Sequence, residues 1–431
     1  MTASELLSAL RSGALDLRLG RLYGAEEDNV SAGRERFDSL LSSFLDLYGD
    51  RENVALFSVP GRSELSGNHT DHNHGKVIAG SVDLDIIAAA VPTGDDIIRI
   101  KSEGFPEDNV DVSVYTSPDP SDHGHSSALI AGVADGFRKR GFKVGGLTAV
   151  TSSNVLKGSG LSSSAAFENM IGTMLSNFYN AGSVDFVTLA SVSQYAENEF
   201  FGKPCGLMDQ VACAAGGIVT IDFEDTSAPA VEKIDFDLSE AGYRLCIINT
   251  GGSHADLTPD YASVPAEMKS VAAALGCDVL RQVREKDLIA AIPGLRASLG
   301  DRAVLRALHF FEENRRVDLQ RDALRHGDLE AYFENVLASG RSSFCYLQNV
   351  YPNSCPESQG TSLALCLCEK FLSHCKRPAA WRIHGGGFAG TVQAYVPAED
   401  AEAFRSLTES VFGAGSCYML RVRTVGAVRL F

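Results

Sequence analysis

Hydrophobic positions follow two rhythms along the 431 residues. Up to about Gly49 they recur every three or four residues: Leu6, Leu7 and Leu10, then Phe37, Leu40, Leu41 and Phe44. That spacing predicts amphipathic helices. From Val54 the pattern changes to strands. Val54–Val59 reads as a short one, stopped by Pro60-Gly61. Val77–Val91 reads as a long apolar one, interrupted by Asp83 and Asp85, and Asp96–Ile100 and Leu147–Ser152 follow. Ser126–Arg140 predicts a helix ending at Gly141, and further helices are expected from Ala165 to about Asn180 and over about Asp185–Glu199. Gly217–Phe223 and Tyr243–Asn249 are strand-like. Ala262 to about Leu372 is mostly helical, with breaks expected near Gly276, at Pro293-Gly294 and around Pro352. A Gly-rich turn and a strand follow in Arg382–Val396, then a helix from Pro397 to Phe412 and a strand-like tail. Strands dominate the first half and helices the middle, which predicts an α+β chain of two lobes. No repeat or Pro/Ser linker marks the joint. We place it softly within 225–250, giving lobes of residues 1–240 and 241–431.

Composition narrows the partners. The chain is 45% hydrophobic and carries a net charge of −17. Such a surface repels phosphate backbones and anionic lipid, so neither nucleic acid nor membrane is an expected partner. The opening, MTASELLSALRSGALDLRLG, lacks the apolar core and cleavage site of a secretory leader. No stretch approaches the roughly 20 apolar residues that span a bilayer. The 10 cysteines are scattered without a C-x-x-C pair, and Cys366-Leu-Cys368 is too close for usual zinc spacing. Free thiols in a reducing cytoplasm are expected.

Gly158-Ser-Gly-Leu-Ser-Ser-Ser164 is the sharpest chemical feature. Its glycines permit close backbone approach to a ligand. It runs into a predicted helix, whose free N–H groups favour an anion such as a triphosphate. It is not a Walker A loop, since no Gly-Lys-Ser/Thr follows, nor a dinucleotide fingerprint, since Ser163 stands where the third glycine belongs. A Ser-rich cap opening a core helix reads equally well from these residues alone.

A second cluster is Pro60-Gly-Arg-Ser-Glu-Leu-Ser-Gly-Asn-His-Thr-Asp-His-Asn-His-Gly75, which gathers one Arg, three His and one Asp between turn signals. Such groups can hydrogen-bond sugar hydroxyls. This segment resembles the galactokinase signature, Pro-Gly-Arg followed by Gly-Glu-His-Thr-Asp. The serine loop resembles the second motif of the GHMP kinase superfamily, and His384-Gly-Gly-Gly-Phe-Ala-Gly390 its third. Ala196-Glu-Asn-Glu-Phe-Phe-Gly202 through Cys205-Gly-Leu-Met-Asp-Gln210, and Tyr351-Pro-Asn-Ser-Cys-Pro-Glu357, also resemble galactokinase segments. The five lie in order between Val54 and Ala394.

The resemblance implies a two-lobed GHMP kinase fold with the site between the lobes. It implies transfer of the γ-phosphoryl group of ATP to a sugar hydroxyl, foremost the anomeric hydroxyl of galactose, with magnesium. Asp209 matches the catalytic aspartate and Arg62 the arginine that keeps it ionised. Ser164 and Glu197 match the magnesium ligands, and Gly158, Ser159, Gly160, Leu161, Ser162, Ser163 and Ser164 the phosphate loop. Asn68, His69, Asp71 and Tyr261 match sugar-contacting positions, and Gly385–Gly387 a supporting turn. The expected partners are ATP and a small sugar, in a cytoplasmic monomer or weak oligomer.

Four positions depart from the pattern: Asn68 for a glutamate, His72 for a tyrosine, Leu156 for a proline and Ala389 for a glycine. Asn68 and His72 keep open a related sugar, whether amino, deoxy, pentose or uronic acid. If Asn68 is a specificity switch, Asn68→Glu raises use of galactose. A non-catalytic sugar sensor is disfavoured by the intact Ser164-Ala165-Ala166 and by the Arg62 and Asp209 pair. His69, Asp71, His72 and His74 as a metal cluster is the weaker reading beside sugar contact. Arg315, Arg316, Arg321 and Arg325 read as a solvated helix face, and Trp381 as packing.

Overall fold

The computed structural model describes residues 1–155, 160–252, 257–352, 354–388 and 390–431. Gly158, Ser159, Leu156 and Ala389 lie outside the described residues.

The amphipathic N-terminus forms three helices, α1 (Ala3–Arg11), α2 (Asp16–Tyr23) and α3 (Glu27–Tyr48). Thr2 caps α1 reciprocally with Glu5, and glycines at 24 and 49 end α2 and α3. The first sheet follows: β1 (Ala55–Ser66), β2 (Lys76–Pro92), β3 (Ile97–Ser102), β4 (Glu107–Asp111), β5 (Leu147–Ser153), β6 (Ile218–Asp222) and β7 (Ala230–Ile234). Its order is β12-β1-β2-β5-β3-β4, where β12 (Val428–Arg429) returns from the C-terminus, and β6 and β7 extend from β2. The β3–β5 pair is parallel, and the other pairs in this sheet are antiparallel.

Both faces of this sheet are covered, which explains the nearly continuous apolar run in β2. Ile86, Ala88 and Ala90 face one core with Phe57 and Val59. Ile87, Ala89 and Val91 face the other, against Leu6, Leu10, Leu19, Phe37, Leu41 and Phe44 of the N-terminal helices. The first core is closed by α4 (Ser126–Lys139), α5 (Ser163–Tyr179) and α6 (Phe186–Tyr195), while α7 (Met208–Ala215) packs on β1, β2 and β6.

A second, antiparallel sheet runs β11-β8-β10-β9, from β8 (Tyr243–Asn249), β9 (Ala380–Ile383), β10 (Thr391–Pro397) and β11 (Cys417–Leu420). Helices α8 (Thr258–Ala274), α9 (Glu285–Leu299), α10 (Asp301–His326) and α11 (Leu329–Ser342) fill the middle of the chain. Helices α12 (Gly360–Leu372) and α13 (Ala401–Phe412) pack on the second sheet together with Trp381.

Three differences from the sequence reading have local causes. Pro60-Gly61 does not stop β1. The strand runs on to Ser66 with its pairing to β2 shifted between Pro60 and Arg62 and again between Glu64 and Ser66. A proline without an N–H is tolerated where the ladder is bulged. Pro293 does not break α9, because Ile289, whose carbonyl loses an amide partner there, is exposed. The expected helix over Asp185–Glu199 is α6 followed by a π-helical turn, Ala196–Phe200. Of the four arginines read as a solvated face of α10, Arg315 pairs with Glu285 and Glu312, Arg321 with Asp318 and Asp322, and Arg325 with Glu232, whereas Arg316 turns inward to the fully buried Glu313. The 10 cysteines are free thiols. Among the described residues no helix is long and apolar enough to cross a membrane.

Between the N-terminal helices and the sheet lies a buried charge cluster. Asp85 of β2 accepts hydrogen bonds from Tyr23 Oη at 2.7 Å, Arg36 Nη1 at 2.6 Å, Arg423 Nη1 at 3.0 Å and the Ser58 hydroxyl. Asp85 and Arg423 are fully buried. Removing one member of such a pair strands the other's charge. Arg423→Met is therefore expected to lower the unfolding free energy by about 3 kcal/mol, read as a lower urea midpoint at unchanged slope. An unchanged midpoint would show that Arg36, Tyr23 and Ser58 satisfy Asp85 without Arg423.

Candidate active site

The bulge in β1 aims Arg62 out of the sheet. Its amide donates to Leu161 O at 3.1 Å, so strand and serine loop are joined backbone to backbone. Gly61 makes the approach possible, since a Cβ there would lie 2.7 Å from that carbonyl. The Arg62 side chain then grips Asp209 at the start of α7, with Nε 2.7 Å from Oδ1 and Nη2 2.5 Å from Oδ2. Its remaining nitrogen donates to Gly160 O. Burial disfavours the guanidinium charge, but Asp209 outweighs burial and raises the Arg62 pKa. A bidentate Arg–carboxylate pair fixes orientation as well as charge.

The serine loop does not cap its own helix. Ser162, before α5, sits in the left-handed region at φ 58°, and α5 has no side-chain cap. The Ser162 hydroxyl donates to Asp209 instead. Among the described residues no side chain caps the first amides of α5, which favours the anion reading over the cap reading. Leu161 is buried in the first core, Ser163 opens α5, and Ser164 Oγ reaches Glu197 Oε1 at 3.1 Å.

Glu197 lies on the π-helical turn, nearly fully buried. Such turns recur at functional sites because they re-aim one side chain. Its Oε1 also accepts from Lys203 Nζ at 2.8 Å, and its Oε2 from Gln210 Nε2 at 2.8 Å. Ser164 and Glu197 fit a divalent cation. They offer a hydroxyl and a carboxylate, both hard oxygen donors, and that carboxylate oxygen already faces a cation. Among the described residues no group of three or more His, Cys, Asp or Glu could hold a metal. The remaining ligands would come from phosphate and water. His69, Asp71, His72 and His74 accordingly form no metal site.

The sugar-signature residues converge on the third motif. Three successive carbonyls there accept from three of them: Gly385 O from Asn68 Nδ2 at 2.6 Å, Gly386 O from His69 Nε2 at 2.9 Å, and Gly387 O from Tyr261 Oη at 2.7 Å. The Tyr261 ring packs where a Cβ on Gly386 would stand, 2.5 Å from Cε1. Asp71 turns elsewhere. Its carboxylate approaches His72 Nε2 at 3.7 Å and lies 3.1 Å from the Cβ position of Gly206, beside the segment leading to Asp209.

Asn68 is fully buried and pinned on every side. Besides Gly385, its amide donates to Glu64 Oε1 at 3.3 Å, and its Oδ1 accepts from Asn349 at 2.8 Å and Ser343 at 3.4 Å. Its backbone amide meets Glu313 at 3.4 Å, and its carbonyl accepts from His309 at 3.1 Å. Sequence reasoning missed this supporting set. Glu64 pairs with Arg382 at 2.5 Å, and Glu313 pairs with Arg316 at 2.7 Å and accepts from Ser339 at 2.6 Å. Burial works against the Glu313 charge, but Arg316 and its neighbours hold the pKa at about 2. His384 bridges Ser63 and Thr391 at 3.0 Å each and touches Gly160. Glu64 and His384 lie within the first and third motifs, while Glu313, Ser339, His309 and Arg382 carry no motif spacing. Their signal is only that they are polar on faces otherwise apolar.

Comparison with known proteins follows the same lines. The GHMP kinases N terminal domain matches residues 124–217, and the galactokinase galactose-binding signature residues 42–92. The chain is 33% identical to the galactokinase of Streptomyces coelicolor over 384 residues, 88% of this chain and 94% of that one. The chain belongs to the galactokinase family. Another galactokinase, from Pyrococcus furiosus, is 30% identical over 345 residues, covering 80% and 89%. The fold agrees with that of Lactococcus lactis galactokinase complexed with galactose, at TM-score 0.73 and 23% identity over 90% of this chain and 98% of that one. A mevalonate kinase superposes at 0.60 and 15% identity, over 85% and 98%. This galactokinase-family protein therefore has the α+β GHMP kinase fold and is a phosphotransferase with a sugar hydroxyl as acceptor.

Two outcomes follow for variants and pH. Asn68→Glu would set a second carboxylate against Glu64 and an acceptor against Gly385 O. It is expected to lower activity on galactose and the thermal midpoint together, opposite to a specificity switch. A rate increase would overturn the clamp reading. Burial holds His69 at a pKa of about 4 and, with Arg62 and Arg382 nearby, His384 at about 3. Unfolded histidine titrates near 6.5. Below pH 6.5 the unfolded chain thus binds protons that the folded one refuses. Stability should fall on acidification towards pH 4, by about 1.4 kcal/mol per pH unit for each such histidine. Urea midpoints across that range should show a shallower fall for His384→Gln.

Proposed function

We propose that the protein transfers the γ-phosphoryl group of ATP to the anomeric hydroxyl of galactose, giving galactose 1-phosphate and ADP. The observation that carries the site assignment is the two-point grip of Arg62 on Asp209 beside an uncapped phosphate-loop helix. In this reading Asp209 accepts the proton of the attacking hydroxyl. The sugar oxygen bonds to the γ-phosphorus as the bond to the bridging oxygen breaks, and ADP leaves. Arg62 keeps Asp209 aimed through its two-point grip. Positioning and charge stabilisation carry most of the effect, as suits a loose transition state.

Gly160 to Ser164 would hold the phosphates. Ser164 and Glu197 would hold Mg²⁺, which when bound neutralises phosphate charge. Asp71 is the favoured acceptor for sugar hydroxyls. Its carboxylate lies by the Asp209 segment and, among the described residues, accepts no hydrogen bond, whereas Asn68 is spent on the protein itself. His69 and Tyr261 shape the sugar pocket through the third motif. The reading also takes 1–240 and 241–431 as the two lobes. It takes the enzyme as a cytoplasmic monomer or weak oligomer whose partners are ATP and a sugar.

The test is ADP release against a panel of free sugars, with magnesium and with EDTA. Magnesium-dependent turnover on galactose is expected, and turnover on another sugar alone would keep the kinase and replace the substrate. Asp209→Asn should cut kcat by about 10³-fold while nucleotide affinity, measured by calorimetry, stays within a small factor. Unchanged turnover would remove Asp209 from the chemistry.

A further inference from the structure

Lys203 belongs to Gly202-Lys-Pro-Cys-Gly206, which joins the Glu197 turn to α7. Its amide donates to Glu197 O at 3.1 Å, and its ammonium lies 2.8 Å from Glu197 Oε1. That oxygen is also the one Ser164 Oγ meets at 3.1 Å. The ammonium thus occupies the corner between the two residues assigned to the metal. Glu197 Oε2 is secured separately by Gln210, whose amide also meets Glu168 Oε2 at 3.3 Å. Glu168 is fully buried, and its other oxygen has no partner among the described residues. Lys203 therefore faces a group of carboxylates, and its charge is felt by Glu168 and Asp209 as well as Glu197. Burial lowers the Lys203 pKa, but the bond to Glu197 and its charge outweigh burial and raise it. The side chain stays a cation, and it is 61% exposed, tethered only at its tip.

A lysine ammonium and a divalent ion cannot share one carboxylate oxygen without strong repulsion. A metal–oxygen bond of about 2.1 Å would put the ion where the ammonium now approaches. The lysine stem is flexible, so leaving Glu197 costs little. Resting on the assignment of Ser164 and Glu197 to the metal, we propose that Lys203 is a built-in cation of the phosphoryl-transfer site. It neutralises Glu197 while the metal is absent and turns to the transferring phosphoryl group when a divalent ion takes that carboxylate.

The two parts of this role pull in opposite directions when the lysine is removed, which a merely structural residue would not do. Lys203→Met should bind metal more tightly, because the competitor is gone, and turn over more slowly, because a cation at the phosphoryl group is gone. Mn²⁺ can be titrated into the protein with a non-hydrolysable ATP analogue, with the free ion read by electron paramagnetic resonance. The dissociation constant for Mn²⁺ should fall by about threefold to fivefold, the worth of an exposed ion pair. At saturating magnesium kcat should fall by about tenfold or more, with partial rescue in Lys203→Arg. Metal binding that is unchanged or weaker, or an unchanged kcat, overturns the proposal. Glu197→Gln separates the two levels. If it weakens Mn²⁺ binding while Lys203→Met does not tighten it, only the role of Lys203 falls. If Glu197→Gln binds Mn²⁺ like the wild type, the metal assignment falls and the proposal with it.

Discussion

The Asp209 carboxylate, partly buried beside the serine loop, is held in place by a cation bonded to it. Arg62 is that cation, and much of the site is arranged to deliver it. It leaves β1 at a bulge, bonds the serine loop through its own amide, and grips Asp209 with two nitrogens. Sheet, loop and α7 are thereby tied through one side chain. The next residue, Ser63, is fastened to His384 and Gln393 of the second sheet's lobe, so the strand carrying Arg62 is anchored from both sides. A guanidinium suits this post because its planar fork fixes direction as well as charge.

Behind the sugar signature lies a network that contributes shape more than stability. Buried ion pairs roughly break even against desolvation. Glu313–Arg316 and Glu64–Arg382 earn their place by holding backbone: Glu313 takes the amides of Gly67 and Asn68, and Arg382 donates to Leu65 O. These bonds hold the loop from Gly67 to His74, which includes left-handed His69 and His74. The three carbonyls of Gly385 to Gly387 then serve as a rail on which Asn68, His69 and Tyr261 are aligned.

The N-terminal helices enter through the same kind of contact. They cover the outer face of the first sheet and bring Tyr23 and Arg36 to Asp85. The backbone of Asp85 pairs with Asn154, its amide to Asn154 Oδ1 at 2.7 Å and its carbonyl to the Asn154 amide at 3.2 Å. Asn154 stands just before the serine loop. The helices are therefore linked through Asp85 to Asn154 at the end of β5, the strand that precedes the serine loop in the chain.

Local rules made much of the protein legible in its sequence. Periodicity placed the N-terminal helices, β2, α4 and α5, because a half-buried element must repeat its apolar residues at its own pitch. The serine loop, Arg62, Asp209, Glu197 and Ser164 could be singled out because they stand in motifs of particular residue types in fixed order, and the structure brings Arg62 and Ser162 onto Asp209 and Ser164 onto Glu197. Pro60-Gly61 misled, because a proline looks like a stop until a bulged partner strand excuses its missing N–H. The helix α7 was missed, being eight residues long and too short for a periodic signal. Only the tertiary structure decided that Asn68 faces the protein, that Ser162 serves Asp209 rather than its own helix, and that Lys203 rests on Glu197. Those facts depend on a partner 47 residues away for Ser162 and on partners such as Asn349 and Gly385, 281 and 317 residues away, for Asn68, and on the turn of a π-helical loop for Lys203. A hydrogen bond is chosen by proximity in space, and the sequence alone contains no term for it.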